Sequence, residues 1–271
     1  MKLIATVNTE IFANIVNVLS ACGGEAVLYF SETALSLCIP QGLNQISLWI
    51  SCSVQLCFAK YLVVSKNSNT ITLKCNAQQL AQALTTEAPL LNMSLARFGE
   101  GTILQFEHRS TDTTKQLMQR VGVSLLSQRA VDAYQEPVWG PATISTKFPP
   151  IKSVNNWINE MKEINNLVLI TATKEGDVLL KVDSDTVTVE TRFKGLEIPG
   201  TTEHSLSDEA EAFVDIKKLR KILRVGNLQG ATGELHIYDK SQARMFFTIP
   251  SSIPDQPTNI TYVLNATTKA V

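Results

Sequence analysis

The sequence contains few of the features that mark membrane-spanning, secreted or strongly charged proteins. No apolar run in its 271 residues approaches the roughly 18 residues that a membrane-spanning helix needs, so we expect no membrane association. The N-terminus turns polar too early for a secretory signal. Lysine and arginine number 24 against 25 aspartate and glutamate, and this net charge of −1 argues against coating of nucleic acid by bulk charge.

Cysteine and histidine are also scarce. The five cysteines all precede residue 76, and their odd count without a secretory signal indicates free thiols in a reducing compartment. Cys52 and Cys57, the closest pair, have a spacing that fits no common zinc site, so buried strand cysteines are the simpler interpretation. The three histidines, His108, His204 and His236, stand alone in sequence. We therefore predict no metal site and no cofactor.

Catalytic motifs are missing as well. The chain has no nucleophile elbow, no phosphate-binding P-loop and no dinucleotide fingerprint. Gly23 and Gly24 follow a predicted helix, whereas a phosphate-binding loop precedes its helix. Asp183 and Asp185 fit a turn between strands better than a pair of ligands. We expect no catalytic residues and no enzyme activity.

What the sequence does contain is an internal repeat. Four segments each combine an alternating strand, a short amphipathic helix and two further strands. They cover residues 2–38, 71–106, 143–182 and 211–248. The predicted helix starts are Thr9, Asn76, Pro149 or Pro150, and Asp215.

The repeat predicts an α+β fold made of two duplicated halves. The prolines and glycine within residues 136–141 favour a connector over a strand or helix. We place the N-terminal half at 1–126, the connector at 127–141 and the C-terminal half at 142–271. Antiparallel hairpins would form the sheets, and the four helices would cover one face of them.

The fourth helix, residues 216–224, carries an unusual charge pattern. Helical spacing gathers its apolar residues on one side and its basic residues on the other, with no acid among them. The basic residues are Lys217, Lys218, Arg220, Lys221 and Arg224. An ordinary solvated helix face and a face that contacts DNA phosphates without sequence preference are both compatible with this stripe.

The other helices are less basic. The third adds Lys152 and Lys162, diluted by Glu160 and Glu163, and the first two contain no lysine or arginine. Contact with double-stranded DNA is therefore predicted through the second half of the chain, mostly through one helix.

Duplicated strand–helix–strand–strand units with helices on one polar face resemble the DNA sliding clamps. The runs at 135–138, 165–169, 176–182 and 187–196 are similar to the Hus-one family, a subunit of the heterotrimeric DNA-damage checkpoint clamp. The resemblance spans the chain and is strongest over 119–224. The tail after Leu264 departs from the family, and the uncharged first two helices differ from those of a replicative clamp.

The resemblance implies a nuclear, ring-shaped scaffold with two non-identical clamp subunits as partners. A clamp loader would close the ring around DNA, and checkpoint and repair proteins would then bind it. The ring edges would lie at 115–124 and 176–183, and the docking pocket would border the connector. The implied edge residues are Val121, Val123, Val178, Leu180 and Val182, and the implied pocket residues are Leu125, Leu126, Trp139 and Tyr262.

Four alternatives stay open on the sequence. A homotrimeric replication processivity clamp would have the same fold, and a structural module without DNA contact would use the basic stripe as a solvated face. Trp139 could pack on its own sheet instead of anchoring a partner. Both edge segments could also be ordinary interior strands.

Overall fold

The computed structural model describes residues 1–40, 46–109, 116–199 and 207–267. The chain forms two compact units. The first contains Met1–Pro40, Leu48–Glu136 and Pro250–Asn259. Of the described residues, the second contains 46–47, Pro137–Ile249 and 260–267. Within the described ranges, no helix has the length and apolar character needed to cross a bilayer.

The first unit is mainly an antiparallel sheet with helices. Its strands are β1 (Lys2–Asn8), β2 (Glu25–Phe30), β3 (Ala34–Ile39), β4 (Ser47–Ser53), β5 (Phe58–Val64), β6 (Ile71–Asn76), β7 (Leu90–Phe98), β8 (Gly101–Arg109) and β9 (Gln116–Leu125). Its helices are α1 (Thr9–Cys22), α2 (Val54–Cys57), α3 (Ala77–Ala83) and α4 (Gln128–Val131). The strand order is β4-β3-β2-β6-β9-β8-β7-β1-β5. The predicted β2–β3 and β7–β8 hairpins are confirmed.

Side-chain caps fix the starts of the two main helices in this unit. Asn76 Oδ1 accepts hydrogen bonds from the backbone N–H groups of Gln78 and Gln79, both at 3.0 Å, as predicted. At α1 the cap is Asn8, whose Oδ1 accepts from Ile11 N at 3.5 Å, and the predicted cap Thr9 is the first helical residue. The prediction was one residue late because β1 runs directly into the helix.

Within the described ranges, the second unit contains two further helices and eight strands. They are β10 (Ile144–Lys147), α5 (Ile151–Met161), β11 (Leu167–Thr173), β12 (Val178–Asp183), β13 (Thr188–Phe193), β14 (Glu209–Asp215), α6 (Ile216–Ile222), β15 (Thr232–Tyr238), β16 (Gln242–Ile249) and β17 (Thr258–Asn265). The strand orders are β10-β15-β16-β17 and β13-β12-β11-β14.

Helices α5 and α6 bury the apolar stripes that the sequence predicted. Val154, Ile158 and Met161 of α5 are at most 2 % exposed. Helix α6 is shorter than predicted, because the chain tightens into a 3₁₀ turn over Leu223–Asn227. Gly226 lies in that turn, where a Cβ atom would come within 2.7 Å of Ile151 Cγ2, so a larger residue would displace the Ile151 side chain.

The segment between β9 and β10 is only partly irregular. It begins with α4 and a 3₁₀ turn at Asp132–Tyr134, and it has no regular structure from residue 136 to 143. The absence of helix and strand predicted for 136–141 is therefore confirmed. Strands β4 and β5 lie between the first two repeats and were missing from the sequence-based repeat pattern.

Candidate functional site

The basic face of α6 is built by one cap and one apolar stripe. Asp215 Oδ1 accepts hydrogen bonds from the backbone N–H groups of Lys217 and Lys218, at 2.7 and 3.1 Å, and so fixes the first turn. Ile216, Leu219 and Ile222 are at most 1 % exposed. Burial of this stripe turns the basic side chains of the same helix toward solvent.

The structure leaves this positive charge uncompensated. Lys217, Arg220 and Lys221 of α6 and Arg224 of the following 3₁₀ turn are exposed, and Lys218 is half-buried at the flank. We call these five residues the basic face of α6. Among the described residues, none of the five has a carboxylate oxygen within 4.0 Å. A cationic face without internal anions can bind the phosphates of a nucleic acid.

Helix α5 contributes less charge but adds an aromatic ring. Lys152 is exposed, whereas Lys162 is half-buried with its Nζ 3.3 Å from Glu163 Oε1. Trp157 is 38 % exposed and was absent from the predicted site. Trp157 is not one of the residues of the apolar stripe that runs from Ile151 to Met161 on α5. Its exposure could therefore have been predicted from the sequence.

The two longer helices of the first unit, α1 and α3, have a neutral or acidic exposed face, whereas the short α4 exposes Arg129. On α1 the exposed residues include Glu10, Asn14 and Asn17. On α3 they are Gln78, Gln79 and Gln82. The predicted asymmetry of charge between the helices of the two halves is therefore present in the folded chain.

Strand β9 presents a partly free edge. It pairs with β8 from Gln116 to Val123, but with β6 only at Val123, Ser124 and Leu125. Residues 116–122 therefore have backbone groups that no other strand of the described chain engages. The predicted edge segment began at Lys115, which lies outside the described residues. Val121 and Val123 are buried at 2 and 9 % exposure, so their side chains belong to the core.

The predicted edge at 176–183 is wrong. Strand β12 is hydrogen-bonded to β11 on one side and to β13 on the other, so it is an interior strand. Val178, Leu180 and Val182 are at most 3 % exposed, and their alternation reflects a buried face of the sheet. The terminal strands of this sheet are β13, next to β12, and β14 at the opposite side.

Two of the four predicted pocket residues have structural roles instead. Tyr262 is fully buried, and its ring packs edge-on against Phe247 with centroids 5.9 Å apart. Trp139 stacks under the guanidinium of Arg244, whose Cζ lies 3.8 Å from the ring centre. These contacts favour the alternative in which Trp139 packs on its own sheet. Leu125 is 46 % exposed, and Leu126 donates its backbone N–H to Thr72.

Arg244 organises this part of the second unit. It is 5 % exposed, and its Cζ lies 3.8 Å from the Tyr238 ring centre as well as from the Trp139 ring. Its Nη1 donates to Tyr238 Oη at 2.7 Å, and that hydroxyl donates to Gly140 O at 2.8 Å. Burial lowers the pKa of Arg244. The two rings stabilise the buried cation and hold the end of the connector against β15 and β16.

A cavity of about 280 Å³ lies within the first unit. Side chains of β2, β3 and β4 form its floor, including Tyr29, Leu37 and Trp49, and the connector residues Val131 and Tyr134 border it. Trp49 Nε1 donates to the Tyr134 carbonyl at 3.1 Å. The sequence predicted a pocket beside the connector but not these lining residues, because the walls come from segments about 100 residues apart, with no shared motif.

The thiols show the features of buried packing groups. Cys52 and Cys57 have their sulfur atoms 3.6 Å apart, and the hydrogen bond between them, with burial, raises the pKa of Cys57. Burial raises the pKa of Cys38 to about 11 and that of Cys75 to about 12. In the described ranges, no three histidine, cysteine, aspartate or glutamate side chains group as metal ligands would.

Comparison with known proteins identifies the family. The family model "Hus1-like protein" matches residues 1–268. The chain is 24 % identical to the human checkpoint protein HUS1 over 226 residues, covering 78 % of this chain and 81 % of the human protein. It is 22 % identical to the checkpoint protein hus1 homolog of Dictyostelium discoideum over 225 residues, covering 80 and 83 % of the two chains.

Solved structures show the fold. The proliferating cellular nuclear antigen of Entamoeba histolytica superposes with a TM-score of 0.73 at 12 % identity, over 98 % of this chain and 99 % of that one. The A. fulgidus PCNA solved with the C-terminal region of FEN-1 gives a TM-score of 0.70 at 12 % identity, over 99 and 100 % of the two chains. The chain is therefore a member of the Hus1-like protein family, a checkpoint clamp protein with the sliding-clamp fold.

Proposed function

We propose that this chain is one subunit of a heterotrimeric ring that encircles double-stranded DNA and acts as a scaffold, not as an enzyme. Its partners would be two non-identical clamp subunits, a clamp loader, and checkpoint and repair proteins in the nucleus. The observation that carries the proposal is the exposed basic face of α6, where five positive side chains have no carboxylate within 4.0 Å among the described residues. Contacts from such a face to phosphates are independent of sequence.

We propose that α6 contacts DNA phosphates, and the sequence adds Lys152 and Lys162 of α5 to this surface. Such contacts predict that the affinity for DNA depends steeply on salt concentration. Each lysine or arginine that neutralises a phosphate releases condensed counterions, so affinity falls as salt rises. Lys162 would contribute least, because Glu163 already pairs with it at 3.3 Å.

The test is charge reversal on the full chain. The variant changes Lys217, Arg220, Lys221 and Arg224 to glutamate, and its binding to a random-sequence duplex is measured across a salt series. We expect the variant to bind the duplex more weakly, and we expect its affinity to depend less steeply on salt concentration. A matched control reverses four exposed basic residues elsewhere: Lys60, Lys66, Arg97 and Lys240. Unchanged DNA binding by the α6 variant at moderate salt would refute the DNA-facing assignment and favour the structural module.

For ring closure we propose edges that differ from the sequence-based ones. Residues 116–122 of β9 would pair with a neighbouring subunit, as would the terminal strand β13. Edge strands with free backbone groups are templates for strand addition. Exposed side chains beside these edges include Arg120 on β9 and Glu190 and Arg192 on β13.

Light scattering separates the heterotrimer from the homotrimeric processivity clamp. The chain has a mass of 29.8 kDa, so three copies would give about 90 kDa. We expect a monomer at micromolar concentration, because the two edges of one subunit would be built for different partners. A stable species of about 90 kDa would show that the edges pair with each other and would favour the homotrimer.

We also propose that residues 127–141 connect the halves 1–126 and 142–271 and border the docking site for partner peptides. The cavity beside Trp49 and Tyr134 supports this position, since it is mainly apolar and lies under the start of the connector. It replaces Trp139 and Tyr262 as the proposed lining. Enlargement of a half-buried side chain that lines the cavity, as in Ser36→Trp, should reduce capture of such peptides without affecting DNA binding. Unchanged peptide capture would refute the cavity as the docking site.

A further inference from the structure

One corner of the first unit exposes an apolar cluster that the ring function does not use. Ile4, Leu62 and Val64 are 44, 45 and 45 % exposed. Leu62 lies directly opposite Ile4 across the β1–β5 pair, and Val64 follows two residues later on the same face. Neighbouring exposed apolar side chains of this kind mark a surface for interaction with another molecule.

The backbone beside this cluster is also available. Strand β5 is the last strand of its sheet and pairs only with β1 among the described strands. The register shifts between Thr6 and Val7, so the bulge on β5 lies near its start, around Ala59. From Tyr61 to Val64 the register is regular, and these four residues present a template for an added strand.

Positive charges flank the apolar pair on β5. Lys60 precedes Leu62 by two residues on the same face of the strand, and Lys66 follows Val64 just after the strand ends. Lys2 lies opposite Val64. Within the described part of the chain, none of these lysines has a carboxylate within 4.0 Å. A partner strand with acids at both ends of an apolar pair would complement this edge.

We propose that the β5 edge binds an extended acidic–apolar segment of a partner protein as an additional strand. On the contact face, the segment would read acidic, apolar, apolar, acidic at every second residue. The two apolar side chains would cover Leu62 and Val64, and the two acids would reach Lys60 and Lys66. This site lies in the first unit and is independent of the DNA-facing helix and of the ring edges.

Two labelled peptides test the proposal against the full chain by fluorescence anisotropy. The peptide ETVTLTE carries the proposed pattern, and KTVTLTK reverses its end charges. We expect ETVTLTE to bind at least about tenfold more tightly than KTVTLTK, because its acids face lysines in place of like charges. Equal binding of the two peptides, or no binding of ETVTLTE at millimolar concentration, would overturn the proposal.

Two variants assign the binding to β5. Leu62→Glu with Val64→Glu should abolish binding of ETVTLTE, whereas Leu90→Glu with Val187→Glu, at residues of similar exposure, should not. Lys60→Glu with Lys66→Glu should reverse the preference, so that KTVTLTK binds better, and this gain cannot come from misfolding. Retention of ETVTLTE by the first variant would refute the site. If the unmodified chain self-associates and the variant Leu62→Glu with Val64→Glu does not, the occupant of the β5 edge is a second copy of this chain and not the proposed partner segment.

Discussion

The two units share a plan of strand, helix and two strands, but their helices differ in charge. The exposed faces of α1 and α3 carry Glu10 and neutral asparagine and glutamine residues, whereas α6 exposes a cluster of lysine and arginine. All these helices bury an apolar stripe of the same kind. Because the stripes are enough to pack the helices, the charge on α6 is not a requirement of folding. The charge on the exposed face can therefore differ between the helices without a change in how they pack.

A second difference concerns the thiols, and it gives the largest expected effect. All five cysteines are in the first unit, at 0 to 6 % exposure. Labelling with a thiol reagent at pH 8 should be slower in the native chain than in guanidinium by more than about a thousandfold, because reaction requires local opening. Burial also keeps Cys38 and Cys75 protonated, with the pKa values raised to about 11 and about 12.

Labelling followed by mass spectrometry would then report opening of the first unit alone. One thiol that reacts at the denatured rate would contradict the buried arrangement. A control with the Cys52→Ala substitution should lose one equivalent of label in guanidinium and should leave the slow native rate in place.

The next prediction compares a buried cation with an exposed one. Arg244→Ala removes the stacking on Trp139 and Tyr238 and the hydrogen bond to Tyr238 Oη. We expect it to lower the free energy of unfolding by about 2–3 kcal/mol, measured by urea denaturation. Arg120→Ala is the matched variant in the first unit, where the guanidinium lies 4.4 Å from the Phe98 ring centre but is exposed. Arg120→Ala should lower the free energy of unfolding by less than about 1 kcal/mol. Equal losses would show that burial of Arg244 adds nothing.

A third prediction removes the charge difference itself. The triple variant Glu10→Lys, Asn14→Lys and Asn17→Lys places basic residues on the exposed face of α1. If this face also lies toward DNA, affinity for a random duplex should rise about tenfold or more at low salt and fall more steeply with salt. The control variant Asn67→Lys, Asn92→Lys and Glu100→Lys adds the same charge at exposed positions away from the helices. An equal gain in both would mean that total charge, not its position, sets the affinity.

The smallest expected effect comes from the two matched helix caps. Asp215→Ala and Asn76→Ala each remove two hydrogen bonds to the first turn of a helix. Each should lower the free energy of unfolding by about 1 kcal/mol. Only Asp215→Ala should also weaken DNA binding, because it frays the helix that carries the basic face. A loss of DNA binding in both variants would point to a general effect of stability.

The local features of the fold were predictable because they depend on short-range patterns. Helical spacing located the stripes of α5 and α6, and polar residues before α3 and α6 identified the caps Asn76 and Asp215. Hairpins followed from alternating segments around short turns. The same spacing also separated exposed from buried side chains on α6, which is why the basic face was found without a structure.

Features that depend on long-range pairing were not predictable. An alternating strand such as β12 has the same pattern in the interior of a sheet as at its edge, and only the partners β11 and β13 decide the difference. The aromatic residues proposed for the pocket failed for a similar reason. Trp139 is covered by Arg244, about 100 residues later in the chain, and no local signal links the two.

The sequence by itself determined the repeat, the helix stripes, the asymmetric charge and the buried character of the thiols, because each follows from periodicity or composition within a short window. Tertiary structure alone decided which strands are edges, which aromatic rings are covered and where the cavity lies. Those properties depend on which distant segments become neighbours, and hydrogen-bond pairing between strands is specified by the whole fold instead of by any one segment.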